Sequence, residues 1–345
     1  MKRVICAAVV ALSALAIVAC NDTTNKASRI VSGDKSKMDT LSYCVGFGNT
    51  IQFCNGMADA KLDWNRVADV CAEVLLSPTQ LSDEETRDKA TSISVTFFDS
   101  TRIARLSKIR LELQGGDASK QIDMTKELPK IDIFESAEER DLVSWAVGYD
   151  MGYNYRQMPY NLQVHWFKQG LLDGTNAANI SLVPQVQAYM NHYNNVVWPI
   201  TNAEISAKWL NTISKKFNVQ QTKSGLLYRI DDMGDEQNKP NIHSTVKLHY
   251  ESICHDGRVF ASTHTKGIAA EVQLDRIIKG WAEGMQLIGK GGKITIWIPA
   301  NLAFGEKGNR FIGPNEALQM NIELLEIKTP NVQIQSIEWD TPAKK

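Results

Sequence analysis

Five residues able to ligate a metal or move a proton crowd one stretch of this sequence: His243, His249, Cys254, His255 and His264. Imidazole and thiolate together suit zinc. The spacing does not. His243 and His249 straddle the start of a strand-like run, and Cys254 and His255 precede the turn residues Asp256-Gly257, so no metal is expected. Gly289-Lys290-Gly291-Gly292-Lys293 has the glycine and lysine content of a phosphate loop. It lacks the full spacing and leads into a strand rather than a helix, which reads as a turn. Neither a Ser/His/Asp arrangement nor a pair of carboxylates stands out. No metal or cofactor site is read from these residues.

Charge narrows the partners. The 345 residues carry 38 Lys and Arg against 39 Asp and Glu, so the chain has no basic excess with which to neutralise phosphates, and nucleic acid is not an expected partner. With 22% charged and 43% hydrophobic residues the composition is that of a folded globular protein, long enough for two or three domains. The N-terminus sets the compartment. Lys2 and Arg3 precede a small and apolar run from Val4 to Ala19, too short for a membrane span and suited to a signal peptide. The run ends Ile17-Val18-Ala19-Cys20 and switches at once to polar residues, which resembles the bacterial lipoprotein lipobox. That resemblance implies cleavage before Cys20, acylation of Cys20, and a protein anchored to the membrane in the bacterial cell envelope, periplasmic or at the outer membrane. Two or three acyl chains suffice for stable anchoring where one does not. Cleavage removes both Lys2 and Arg3, taking the net charge from −1 to −3. Cys44, Cys54, Cys71 and Cys254 remain. An oxidising envelope permits a disulfide among the first three, but they sit where helices are expected and read as buried free thiols.

These residues need elements to hold them. Residues 20–37 are polar and read as a tether. Beyond the tether the sequence has an internal similarity. Asp39-Thr40-Leu41-Ser42-Tyr43-Cys44-Val45-Gly46 lines up with Asp141-Leu142-Val143-Ser144-Trp145-Ala146-Val147-Gly148, with an aromatic residue, a valine and a glycine in matching slots. Glycine inside a helix costs up to about 1 kcal/mol, so its use twice at one position points to close helix–helix approach, expected between chains. The first copy, 38–115, has helical spacing from Leu62 to Leu76. A second helix opens at a Ser82/Glu85 capping box and runs to about Leu113, with Gly115-Gly116 beyond it. The second copy and its connecting helix, 116–221, is amphipathic from Val164 to Asp173 and again from Pro184 towards Trp198. Pro199 is expected to break or kink that helix, and Thr201 with Glu204 to restart it.

From about Lys223 the period changes. Residues 226–230, 246–250, 293–298 and 320–327 read as strands and Ile277–Ile288 as a single helix. The fold class expected is α+β, an antiparallel sheet wrapped on one helix, preceded by an all-α region of two related helical copies.

Five motifs in order carry a family resemblance: Ser224-Gly225-Leu226-Leu227-Tyr228; Asp256-Gly257-Arg258-Val259-Phe260; Ile277-Ile278-Lys279-Gly280-Trp281 with Glu283-Gly284-Met285; Ile298-Pro299-Ala300-Asn301-Leu302-Ala303-Phe304-Gly305; and Ile312-Gly313-Pro314-Asn315. Residues 222–328 resemble the FK506-binding-protein (FKBP) peptidyl-prolyl cis–trans isomerases. The upstream helices resemble the dimerisation region of the macrophage-infectivity-potentiator-like branch, which implies a homodimer through the helical region. Residues 329–345 read as a tail.

The reaction this implies can be argued from the bond itself. An X–Pro amide isomerises over a barrier of about 18–20 kcal/mol, and its twisted transition state has less charge separation than the planar amide. An apolar, water-poor pocket favours the twisted form by differential binding. The resemblance assigns the pocket floor to Trp281 and walls to Tyr250, Phe260, Ile277, Ile278 and Ile312, with the Ile278 N–H holding substrate backbone. It also marks departures. Ala261 stands where the family has an acid, Phe304 where it has a tyrosine, and Met320 where it has a phenylalanine wall; an aromatic expected near Ala270 and Val272 is absent. Losing one aimed donor costs about 1–3 kcal/mol, so weakened activity is expected on proline-containing polypeptides. The alternative implied by Ala261 and Phe304 is a non-catalytic chaperone or scaffold.

Overall fold

The computed structural model describes residues 30–57, 60–77, 84–117, 119, 132–264 and 267–328. The signal-like run, Cys20, most of the tether, the Ser82 cap and the tail after Lys328 lie outside them. The chain divides into two compact units between Asn202 and Ala203, with residues 309–313 grouped with the first.

The first unit is helical. Helix α1 spans Thr40–Gly56 and starts at Asp39, whose side chain accepts from the Ser42 N–H. Helix α2, Trp64–Leu76, is capped in the same way by Asp63. Helix α3 runs Glu84–Thr96, passes through a π turn at Phe97–Thr101, and continues as α4, Arg102–Leu113. The second copy repeats the pattern. Helix α5 is Ala137–Gln157, with Ser136 as N-cap; α6 is Val164–Asp173; α7, Val183–His192, enters a π turn at Tyr193–Val197 and emerges as α8, Trp198–Ile213. A short parallel pair, β1 (Ile30–Val31) and β2 (Leu162–Gln163), closes the unit.

Pro199 does not break the helix. The Trp198 N–H reaches back five residues to Tyr193 O, so the backbone widens into a π turn ahead of the residue that lacks an N–H. Nor does Thr201 restart a helix. Its Oγ1 donates to Val197 O at 2.6 Å, a bond back along the same helix.

The two copies exchange their first helices within the chain. Helix α1 packs on α6 and α7, and α5 packs on α2 and α3. The glycines expected to meet between chains do so inside one. A Cβ on Gly46 would run into Phe167 O and come to 2.9 Å from Leu171 N; one on Gly148 would come to 2.5 Å from Val67 O. Around these crossings Val67, Cys71, Phe98, Met151, Phe167 and Leu171 are buried in one core. Cys44, Cys54, Cys71 and Cys254 are free thiols. Burial pushes the Cys44 thiol up to about 11 and Cys71 higher still.

The second unit begins inside α8, earlier than the composition change near Lys223 suggests. Trp209, Leu210 and Ile213 pack with Leu227 and Trp297, so the last turns of the helix belong to the sheet's core. The strands are β3 (Gln220–Gln221), β4 (Leu227–Asp232), β5 (Thr245–Cys254), β6 (Val259–Ser262), β7 (Ala270–Gln273), β8 (Lys293–Ile298) and β9 (Leu318–Lys328). They form an antiparallel sheet in the order β3-β4-β8-β9-β5-β6, with β7 beside the first half of β5. Alternate residues Leu318, Met320, Ile322 and Leu324 of β9 are buried. Helix α9, Lys279–Met285, lies on Ile294, Ile296 and Ile298. It is shorter than the expected 277–288. Ile277 and Ile278 are extended, with ψ of 174° and 144°, and Ile278 is the N-cap.

Candidate active site

Helix α9 sits close to β8 because two of its residues have no side chain. A Cβ on Gly280 would strike Ile298, and one on Gly284 would come to 2.8 Å from Ile296 Cγ2. The extended Ile277-Ile278 segment then leads in, and the Ile278 carbonyl accepts from the Trp281 and Ala282 N–H groups, each at 3.1 Å. This sets Trp281 in the first turn, half-buried, against Tyr250 of β5. Their ring centroids are 4.9 Å apart at an interplanar angle of 49°. Buried Trp281 Nε1 has no hydrogen-bond partner among the described residues.

Tyr250 is fixed from its backbone. Its N–H donates to Thr263 Oγ1 at 2.9 Å, and its carbonyl accepts from the Thr263 N–H at 3.0 Å. His249 Nδ1 lies 3.1 Å from the same hydroxyl, and its ring stacks on His264. Thr263 is thus a positioning residue for the aromatic pair, one that spacing in the sequence does not announce. At the far end of α9, Ser224 Oγ donates to Glu283 Oε2 at 2.7 Å, tying the helix to the start of the sheet.

Trp281, Tyr250, Ile277, Ile278 and Met320 come together, packed on the core of the second unit. Met320 is buried, paired in register with Ser252 and Ile296, so it supports the floor of this group from beneath. Phe260 and Ala261 stand on β6, half-buried, with Ala261 opposite Ser252. Phe304 is half-buried in the turn after Ala300–Leu302. Ile312 is fully buried in the 309–313 segment that groups with the helical unit, with its N–H donating to Asn309 Oδ1 at 3.0 Å. Ala270 and Val272 fall on β7, where Val272 pairs with Val246 and fills core space in place of an aromatic ring.

The metal-capable side chains disperse. His243 faces Asp275 at 3.6 Å, while His249 and His264 stack on each other. Cys254, Asp256 and Glu316 do converge, their ligand atoms lying within 4.8 Å of one another. Arg258 Nη2 stands 3.5 Å from Glu316 and His255 Nδ1 3.3 Å, so a guanidinium and an imidazole already face that buried carboxylate. Burial pushes the Cys254 thiol well above its ordinary range. A cavity of about 520 Å³ lies on the other face of the sheet. It is an open trough lined by charged and polar side chains such as Arg229, Asp231 and Gln319 together with apolar ones such as Trp297 and Ile322.

An aromatic pair on an apolar core and an extended Ile-Ile entry suit a reaction driven by desolvation and shape. Comparison with known proteins agrees. Residues 236–325 match the family described as FKBP-type peptidyl-prolyl cis-trans isomerase, and residues 140–230 match the domain amino terminal to it. The amino-terminal match falls on the second helical copy and runs into β4. Outer membrane protein MIP of Legionella longbeachae is 28% identical over 217 residues, which is 59% of this chain and 93% of that protein. The FKBP-type isomerase FkpA of Aeromonas hydrophila is 28% identical over 258 residues, 70% of this chain and 91% of that protein. A probable FKBP-type isomerase of Haemophilus influenzae is 41% identical over 115 residues, covering 33% of this chain and 47% of that protein. Together the matches take in both the helices that lead to the sheet and the sheet itself, and the chain belongs to the FKBP-type peptidyl-prolyl cis–trans isomerases, in the branch that carries an amino-terminal helical domain.

Proposed function

We propose that this isomerase acts on X–Pro bonds of cell-envelope polypeptides, with Trp281 and Tyr250 as the surface on which the prolyl ring sits. The observation that carries the reading is the Trp281–Tyr250 pair, 4.9 Å apart on an apolar core inside the family-matched segment. Ile277, Ile278 and Met320 exclude water around it, and Phe260, Ala261 and Phe304 are the further residues of the sheet unit assigned to the pocket. The Ile278 N–H, at the N-cap where no helical acceptor exists, is available for substrate backbone. Surroundings that solvate the planar amide poorly lower the cost of twisting it. No bond to the protein forms, and the proton inventory of enzyme and substrate is unchanged.

Phe304 and Ala261 leave the pocket without a hydroxyl and a carboxylate, so its rate enhancement is moderate. Acylation at Cys20 anchors the protein in the envelope, consistent with a relative named as an outer membrane protein. Two measurements test this. Exchange NMR on an X–Pro peptide with residues 21–345 should show saturable acceleration that a chelator does not remove; an unaccelerated peptide refutes the activity. Cys20→Ser should abolish incorporation of labelled fatty acid and membrane partitioning, and unchanged partitioning refutes the anchor.

A further inference from the structure

The contacts between the two helical copies come in reciprocal pairs. Ser42 and Ser144 occupy the same slot of the internal repeat. Ser42 Oγ accepts from the Gln163 N–H at 2.8 Å, just ahead of α6; Ser144 Oγ accepts from the Asp63 N–H at 2.9 Å, just ahead of α2. Gly46 lies on the backbone at Phe167, and its counterpart Gly148 on the backbone at Val67. One turn on, Thr50 Oγ1 donates to Leu171 O at 2.8 Å, while Gly152 places its α-carbon against Cys71 O, 2.9 Å from where a Cβ would be. The third helix of each copy carries a π turn, Phe97–Thr101 and Tyr193–Val197.

In a two-fold interface, residue i of one subunit meets j of the other, and j meets i. That reciprocity is present here among residues of a single chain. We infer that the helical region is a two-fold interface folded inside one chain: the first copy takes the place of a second subunit, and the protein works as a monomer. The two copies differ at their C-terminal ends. Helix α8 leads directly into β3 and the isomerase unit. Helix α4 ends at Leu113, where Gly115 and Gly116 take positive φ, and among the described residues the next element is α5 rather than a strand. One pocket therefore serves two helical arms, where a homodimer of single-copy chains would carry two. The surface that the sequence assigns to a second chain is already covered.

Sedimentation of residues 21–345 over a range reaching tens of micromolar tests this, the range being an order-of-magnitude choice. The expected result is the mass of one chain at every concentration and isomerase activity per mole that does not fall on dilution. Reversible growth to a two-chain mass overturns the inference, whether the second chain swaps its helices or docks elsewhere. A second readout distinguishes swapping. In an equal mixture of isotope-labelled and unlabelled chains, a zero-length carbodiimide cross-link between Lys168 of α6 and Asp69 of α2, which form an ion pair across the two copies, should join residues of one chain, and a mixed-label product overturns the inference independently.

Discussion

At Gly46 in α1 an added Cβ would meet the backbone of Phe167–Leu171, whereas at Gly284 in α9 it would meet the end of the Ile296 side chain. A side chain can change rotamer; a backbone carbonyl held in a helix moves only if the helix moves. The helical unit therefore has backbone-to-backbone crossings that tolerate nothing larger than glycine. The sheet unit presents its rings half-buried on a core of aliphatic side chains, where exchange of one group for another is absorbed. The crossings at Gly46 and Gly148 are thus rigid where the packing of α9 on β8 is adaptable, and substitutions should separate the two.

The largest effect is expected at the crossings. Gly46→Leu, and separately Gly148→Leu, should each destabilise the helical unit by about 3 kcal/mol or more in urea unfolding, at the upper end for overpacking. Similar losses at both sites support reciprocal crossings; a benign substitution at either breaks the comparison. Trp281→Ala should cost about 2–3 kcal/mol, less than for a fully buried tryptophan because the ring is half-exposed, and should remove most isomerase activity. A stability loss without an activity loss would mean the ring is core only.

Smaller effects sharpen the contrast. Ser42→Ala and Ser144→Ala each strip the acceptor from a backbone N–H and should each cost about 1–2 kcal/mol by thermal unfolding, in matching amounts. Phe304→Tyr with Ala261→Asp should raise kcat/KM on an X–Pro peptide about tenfold, worth about 1.4 kcal/mol. Both positions are half-buried, so solvent or substrate can satisfy the new groups. No gain would mean that these residues do not face the substrate. Gly48→Ala should have the smallest effect and the opposite sign to Gly46. Nothing lies within 4 Å of its Cβ position, so helix propensity alone should stabilise the protein by up to about 1 kcal/mol.

Much of this is legible in the residues. Period-two alternation marks β8 and β9, the runs at 226–230 and 246–250 read as strands, and the paired glycine slots at Gly46 and Gly148 mark the helix crossings. The short edge strands β6 and β7 are not legible, because four residues give too little alternation. Helix α9 is shorter than its apolar pattern suggests, because Ile277 and Ile278 continue that pattern while adopting extended backbone. The effect of Pro199 is hidden because a π turn leaves no mark in periodicity. Which copy each glycine faces is equally hidden, since a helical stripe specifies a partner's shape and not its place in the chain. At the site, Trp281 and Tyr250 stand out by motif position, whereas Thr263, which holds Tyr250 in place, has no motif of its own.

The assignment of activity to the aromatic pair is tested most directly by comparing kcat/KM of residues 21–345 with that of the Tyr250→Ala variant on one X–Pro peptide. Tyr250 is half-buried and its backbone bonds to Thr263 survive the substitution, so the fold should persist and far-UV circular dichroism should not change. The result predicted is a fall of at least about tenfold, equivalent to about 1.4 kcal/mol of transition-state stabilisation. Equal rates for the two proteins would place the isomerase chemistry somewhere other than at Trp281 and Tyr250.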